Sequence, residues 1–262
     1  MERHQPRRRF GQNFLADPYY VGRIVDAIAP RQGDNLVEIG PGLGALTQPL
    51  IERAGHLTAI EIDRDLAARL ASQFPREQLS LHVVDALEFD FAALGTALRV
   101  VGNLPYNIST PLLFHLARFA DRVADLTVML QKEVVARMTA QPASKDYGRL
   151  TVMLQTRFRV TKLFTVPPGA FRPAPTVDSA VARLTPLTIE RPRIADQDLY
   201  ERIVAAAFSQ RRKTLRNALS ALCDESTLQA AQIDPKARGE TLAVADFVRL
   251  ANALATRADA RS

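Results

Sequence analysis

The chain is 262 residues long and 47% hydrophobic, enough for one large domain or for a large and a small one, so a globally disordered chain is excluded. Thirty-four basic against 28 acidic residues leave a net charge of +6, which points to a polyanionic partner, most simply nucleic acid. A single cysteine, Cys223, rules out an intrachain disulfide; four scattered histidines give no metal-ligand spacing; and no apolar run reaches the roughly 18 residues of a membrane span. The basic N-terminus lacks the apolar stretch of a signal peptide, so a cytoplasmic protein without a metal is expected.

Asp17-Pro18 reads as an N-cap and first turn, and Tyr20, Val21, Ile24, Val25 and Ile28 follow helical spacing up to Pro30. A buried strand, Asn35 to Ile39, runs into Gly40-Pro41-Gly42-Leu43-Gly44 and then a helix through Arg53. Leu57 to Glu61 is a second strand, followed by a helix from Arg64 to about Gln73; Leu79 to Val84 is a third and Leu98 to Val101 a fourth. A helix begins near Ser109, and Leu126 to Leu130 is a fifth strand. The alternation predicts an α/β domain with a largely parallel sheet and helices on both faces. Val166 to Pro175 is proline-dense and extended, and Thr176 to Leu184 reads as a last strand. Past Pro186 only helical patterns remain, over Leu199 to Leu222 and Thr241 to Leu254. A domain boundary is therefore expected near residue 188, dividing 1–188 from a helical 189–262.

The glycine run lies between a strand and a helix, where the backbone can approach a ligand closely. Its spacing is G-x-G-x-G, and an acidic residue, Glu38, precedes it. That departs from the pyrophosphate-binding fingerprint, which needs bare amides at a helix N-terminus. Glu38 instead suits a cationic group such as an amine or a sulfonium. Glu61, followed by Ile62, ends the second strand 21 positions after Gly40, placed to take both ribose hydroxyls. Asp85, with Ala86 beside it, follows the third strand and can accept from an adenine amine. Together with Gly40 and Gly42 these residues read as a site for an unphosphorylated, positively charged adenosine, with S-adenosylmethionine the natural candidate. A tight turn, or an acid that merely caps the next helix, is the plainer alternative for each feature taken singly.

Asn103-Leu104-Pro105-Tyr106 follows the fourth strand. The Asn103 side-chain carbonyl and a nearby backbone carbonyl can accept from an exocyclic NH2; Pro105 stiffens the turn; Tyr106 can lie against the face of a base. Phe171, in its proline frame, is a candidate for the other face, with a core position the equal alternative. Asn103 and the Leu104 carbonyl would then favour a pyramidal amine and stabilise charge as its new bond forms. The base has to leave its stack to reach such a pocket.

Five separated motifs in this order resemble the ribosomal RNA adenine N6,N6-dimethyltransferase family: Phe10-Gly11-Gln12-Asn13-Phe14-Leu15, Glu38 to Thr47, Asn103 to Thr110, Pro167 to Leu184 and Phe208 to Leu219. The similarity spans residues 8 to 255 and is strongest to the bacterial small-subunit enzymes. It implies a class I, Rossmann-like methyltransferase with a mostly parallel seven-stranded sheet and a small all-helical C-terminal domain. It implies S-adenosylmethionine contacts at Asn13, Leu15, Gly40, Glu61, Asp85 and Asn103, of which Asn13 and Leu15 have no independent physical argument. It also implies that two adjacent adenosines in a hairpin near the 3′ end of 16S ribosomal RNA each receive two methyl groups.

RNA affinity is expected from phosphate contacts by Arg7, Arg8 and Arg9 and by Arg211, Arg212, Lys213 and Arg216, with Arg212 and Arg216 on one helical face. An ordinary solvated surface is the plainer reading for any single arginine. The expected partner is the small ribosomal subunit or its precursor, and the expected state a monomer. Rival readings are a large-subunit ribosomal RNA adenine methyltransferase, a DNA adenine methyltransferase and a non-catalytic assembly factor.

Overall fold

The computed structural model describes residues 13–188, 191–210 and 212–259. A two-residue strand β1 (Phe14–Leu15) precedes α1 (Pro18–Ile28), which starts where the Asp17 carboxylate accepts from the Tyr19 N–H at 2.9 Å. Helix α1 stops at Ala29, which turns into the left-handed region at φ 49°. Then come β2 (Asn35–Ile39), α2 (Thr47–Ala54), β3 (Leu57–Ile60), α3 (Arg64–Gln73) and β4 (Leu79–His82). Next are β5 (Leu98–Asn103), α4 (Ser109–Arg118), β6 (Val123–Gln131), α5 (Lys132–Met138), α6 (Arg149–Gln155), β7 (Phe158–Val166), β8 (Phe171–Arg172) and β9 (Ser179–Pro186). The chain ends in α7 (Gln197–Ser209), α8 (Leu215–Ala218), α9 (Glu225–Ala230) and α10 (Val244–Asp259).

Seven strands form one sheet in the order β4-β3-β2-β5-β6-β9-β7. The pairs β2–β3, β2–β5, β3–β4 and β5–β6 are parallel, and β6–β9 is antiparallel. Strands buried on both faces explain the near-continuous apolar runs: Leu36, Val37, Ile39, Leu57, Val100, Val101, Leu126 and Val128 are all essentially without solvent exposure. The Rossmann-like expectation holds, and the alternating elements up to α4 fall within a few residues of their predicted places.

Differences cluster after β6. Sequence reading assigns no element between 131 and 165, yet α5, α6 and β7 lie there. Helix α6 shows no amphipathic period, because Leu150, Thr151, Val152, Met153 and Leu154 are all buried. The chain forms two compact units: residues up to Val135 with Val160–Pro186, and Ala136–Arg159 with the residues from Leu187 onward. The second unit thus takes in 136–159 as well as the expected C-terminal segment. Buried side chains of α6 and α7, a Thr156–Tyr200 hydroxyl bond, and the Tyr147 hydroxyl donating to the Leu242 carbonyl at 2.8 Å hold it together.

The single helix expected over Leu199 to Leu222 is broken. Helix α7 ends before Gln210, and α8 starts again only after an extended Thr214. The backbone N–H groups of Leu215 and Arg216 donate to the carbonyls of Ala237 and Pro235, so a tertiary contact replaces the helical bonds a continuous α-helix would make.

Candidate functional site

The C-terminal ends of β2, β3 and β5 converge on a cavity of about 290 Å³ in the first unit. Ligands in open α/β sheets bind at this edge, where strands hand over to loops. Gly40 and Gly42 sit at φ +67° and +60°, which an L side chain adopts only under strain. A Cβ on Gly42 would lie 3.0 Å from the Phe14 ring, so the loop, the N-terminal arm and the cavity are packed against one another.

Two buried carboxylates line this space. Glu38 is 2% exposed and accepts from the Thr47 hydroxyl at 2.7 Å. Burial pushes its pKa up to about 7; the Thr47 hydrogen bond opposes the rise and the negative charge of Glu61 adds to it. Glu61 is 5% exposed, with Oε2 accepting from the Gly42 N–H at 3.1 Å and Oε1 from the Asp63 N–H at 2.9 Å. Burial raises its pKa too, against the pull of those backbone hydrogen bonds. Each Glu61 oxygen keeps a further lone pair for a ligand hydroxyl. Glu61 therefore shapes the glycine loop and can serve a ribose at once.

Asp85 also lines the cavity, three residues beyond the end of β4, which stops at His82 rather than at Val84. Its Oδ1 accepts from the Leu87 N–H at 2.9 Å, so it caps the following turn while facing the cavity. Ile62, 44% exposed, and Ala86 flank the same space as apolar walls. Buried carboxylates, positive-φ glycines and an apolar slot fit an adenosine bearing a cation, and an ionised Glu38 disfavours a phosphate.

The Asn-Leu-Pro-Tyr turn contributes to the same cavity. Asn103, Leu104, Pro105 and Tyr106 all line it. The Asn103 side-chain nitrogen donates to the Asn13 carbonyl at 2.9 Å, which leaves its oxygen as the acceptor. The Leu104 N–H donates to the Met129 carbonyl at 3.1 Å, fixing the turn to β6. The Tyr106 and Ser179 hydroxyls share a hydrogen bond of 2.6 Å, and burial raises the Tyr106 pKa while that bond opposes the rise. Asn13 and Leu15 both reach the cavity.

Phe171 takes the core position. It is fully buried, pairs with Leu15 across β8 and β1, and packs with Ile24, Val166 and Val181 away from the cavity lining. Without exposed surface it cannot stack on a base here, and its proline frame seats the N-terminal arm instead. Arg7, Arg8, Arg9 and Arg211 lie outside the described residues. Arg212, Lys213 and Arg216 are exposed in the second unit, but Arg212 and Lys213 sit in the turn between α7 and α8, so the shared helical face does not form. Arg216 lies 3.7 Å from the Glu225 carboxylate.

Three contributors have no strong local sign. Phe14 belongs to the arm motif, Thr47 opens α2 nine positions after Glu38, and Ser179 is 73 positions from the tyrosine it touches. Among the described residues no cluster of three or more His, Cys, Asp or Glu could hold a metal ion, and no helix is long and apolar enough to cross a membrane.

The family profile described as ribosomal RNA adenine dimethylase matches residues 3–256. A ribosomal RNA small subunit methyltransferase A of Aromatoleum aromaticum is 61% identical over 257 residues, covering 98% of this chain and 97% of that protein. Its namesake in Thiobacillus denitrificans is 59% identical over 254 residues, covering 97% and 100%. Among solved structures, the 23S rRNA methyltransferase ErmE superposes with a TM-score of 0.69 at 27% identity, covering 93% of this chain and 100% of its own. A dimethyladenosine transferase from Plasmodium falciparum shares the fold with a TM-score of 0.79 at 24% identity, covering 94% and 98%. With a profile match over nearly the whole length and relatives near 60% identity, the chain belongs to the ribosomal RNA adenine dimethylase family.

Proposed function

We propose that this enzyme, a methyltransferase by its family, transfers methyl groups from S-adenosylmethionine to adenine N6 in small-subunit ribosomal RNA. Its targets are two adjacent adenosines in a hairpin near the 3′ end of 16S ribosomal RNA, each converted to N6,N6-dimethyladenosine. The observation that carries this reading is the Asn103 amide, held by Asn13 with its oxygen left to accept, in one cavity with two buried carboxylates.

S-adenosylmethionine supplies a methyl group activated on a sulfonium sulfur, whose thioether leaves without help from a metal or a covalent nucleophile. Glu61 and the glycine loop would hold its ribose, Asp85 and Ile62 its adenine, and Glu38 would answer its positive charge. The chain's own task is the amine. Adenine N6 is a poor nucleophile because its lone pair is delocalised into the ring. Asn103 Oδ1 and the Leu104 carbonyl accept hydrogen bonds from its N–H groups, draw the nitrogen towards a pyramid and stabilise the positive charge that grows there; once the N–C bond has formed and the thioether has left, the methylated nitrogen loses one proton to solvent. Tyr106 stacks on the extruded base and fixes its approach, so positioning supplies much of the remaining rate.

RNA binding by the exposed Arg212, Lys213 and Arg216, acting with the N-terminal arginines, completes the reading, as does a monomer working on ribosomal subunits in the cytoplasm. A large-subunit specificity is the nearest alternative. Relatives at 61% and 59% identity bearing the small-subunit name, against 27% for ErmE, support the small-subunit reading. The test supplies labelled S-adenosylmethionine to unmethylated small subunits, large subunits and DNA and maps the modified base. Label on adenine N6 near the small-subunit RNA 3′ end is expected. Label confined to large subunits or DNA overturns the substrate, and none anywhere, on folded protein, overturns the activity.

A further inference from the structure

We infer that Ser179 is a positioning residue for the ring of Tyr106; this rests on the adenine-stacking role given to Tyr106 above. The two hydroxyls lie 2.6 Å apart, and Ser179 is fully buried at the start of β9. Strand direction explains how residues 73 positions apart meet there. Strands β5 and β6 run parallel and finish at the site edge, so each delivers its last residues to it. Strand β9 runs antiparallel to β6, so it delivers its first residue to that same edge. Strand β6 carries both neighbours: Met129 is opposite Asn103, and Gln131, two positions on, is opposite Ser179.

The residue preceding Ser179 is tied to the end of β6: the Lys132 N–H donates to the Asp178 carbonyl at 2.9 Å, and the Lys132 ammonium meets the Asp178 carboxylate at 3.0 Å. The segment carrying Tyr106 is a turn tied mostly through backbone: Leu104 N–H to Met129, Ile108 N–H to the Pro105 carbonyl, and the Ser109 hydroxyl to the Tyr106 carbonyl. Those bonds place the Tyr106 backbone without setting its ring. The phenol is anchored at its far end by Ser179, so the ring's direction is fixed before a base arrives, and less freedom is lost on stacking.

The test uses the full-length protein with unmethylated small subunits, comparing Ser179→Ala, Tyr106→Phe, the double variant and Tyr106→Ala. Each of the first two lowers kcat by about three- to tenfold, the range expected for removing one hydrogen bond, with calorimetric affinity for S-adenosylmethionine unchanged. The double variant is no slower than the slower single, because both remove one interaction. A Ser179→Ala enzyme with wild-type kcat, or a double variant showing the product of the two losses, overturns the inference. Equal losses of kcat and of cofactor affinity also overturn it, since they mark a general structural role. Should Ser179→Ala fail to fold, Tyr106→Phe decides alone: wild-type kcat overturns, a selective loss supports. Tyr106→Ala separates the two claims. Full activity there removes the stacking role itself; an impaired Tyr106→Ala beside unimpaired Tyr106→Phe and Ser179→Ala removes only the positioning.

Discussion

The side chain of Asn103 is oriented by the backbone of Asn13, whose carbonyl accepts from the amide nitrogen at 2.9 Å across 90 positions of sequence. The contact depends on the N-terminal arm staying docked. Strand β1 pairs with β8, and the N–H groups of Ala16 and Asp17 both donate to the Ala170 carbonyl, at 2.8 and 3.2 Å. The buried Phe171 is the apolar anchor beneath that pairing. The docked arm thus fixes the Asn103 nitrogen as a donor and leaves its oxygen as the acceptor that the proposed function uses.

Removing that atom should be costly to turnover and cheap to the fold. Asn103→Ala is expected to lower kcat by about a hundredfold or more, the scale for losing one preorganised hydrogen-bonding group in a transition state. Steady-state kinetics on small subunits, with circular dichroism to confirm folding, checks this. Near-normal kcat in a folded variant would contradict the role given to Asn103.

Glu38 makes stability depend on pH. Its folded pKa, about 7, lies above its value in the unfolded chain, so between roughly pH 4.5 and 7 the native protein holds a proton the unfolded chain has released. Stability therefore falls as pH rises through that window, by up to about 3 kcal/mol, and levels off above it. Glu38→Gln should flatten the slope in urea unfolding series at stepped pH, with its largest gain over wild type above pH 7. A cationic cofactor favours the carboxylate, so S-adenosylmethionine should bind more tightly as pH climbs towards 7. The demethylated product, neutral at sulfur, should show a weaker trend.

Gly102 needs its missing side chain for reasons of space. A Cβ there would lie 2.4 Å from the Ile39 carbonyl oxygen, on the neighbouring β2. A backbone oxygen on a strand paired on both sides, by β3 and β5, cannot step aside easily, so Gly102→Ala should cost about 1–3 kcal/mol by overpacking. Thermal unfolding measures the loss; an unchanged Tm would show that β2 and β5 can separate freely.

The exposed basic turn should reveal itself through salt. Replacing Arg212, Lys213 and Arg216 by glutamine is expected to weaken RNA binding and to lower the salt slope by up to about three, roughly one for each phosphate that is no longer neutralised. Arg216, 3.7 Å from Glu225, should contribute least, because its charge is already partly answered. Identical slopes for variant and wild type would remove this surface from the RNA interface.

Much of the site can be read from sequence because its parts are local. Glu38, Gly40, Gly42, Glu61 and Asp85 lie at or just past strand ends in a strand–helix alternation, and parallel strands carry such ends to one edge. The Asn-Pro-Tyr turn is equally local. Composition and pattern alone therefore determine the α/β class, most of the elements up to α4, and the set of residues proposed to hold a cationic nucleoside. Tertiary structure decides what depends on distant partners: that β9 runs antiparallel and brings Ser179 to Tyr106, that Phe171 faces a core instead of a base, that 136–159 joins the helical unit, and that Asn13 turns Asn103. A residue's period and its neighbours tell whether it is buried in a strand or a helix. Whether its buried face meets core or ligand is settled only when segments 70 to 90 positions away fold against it.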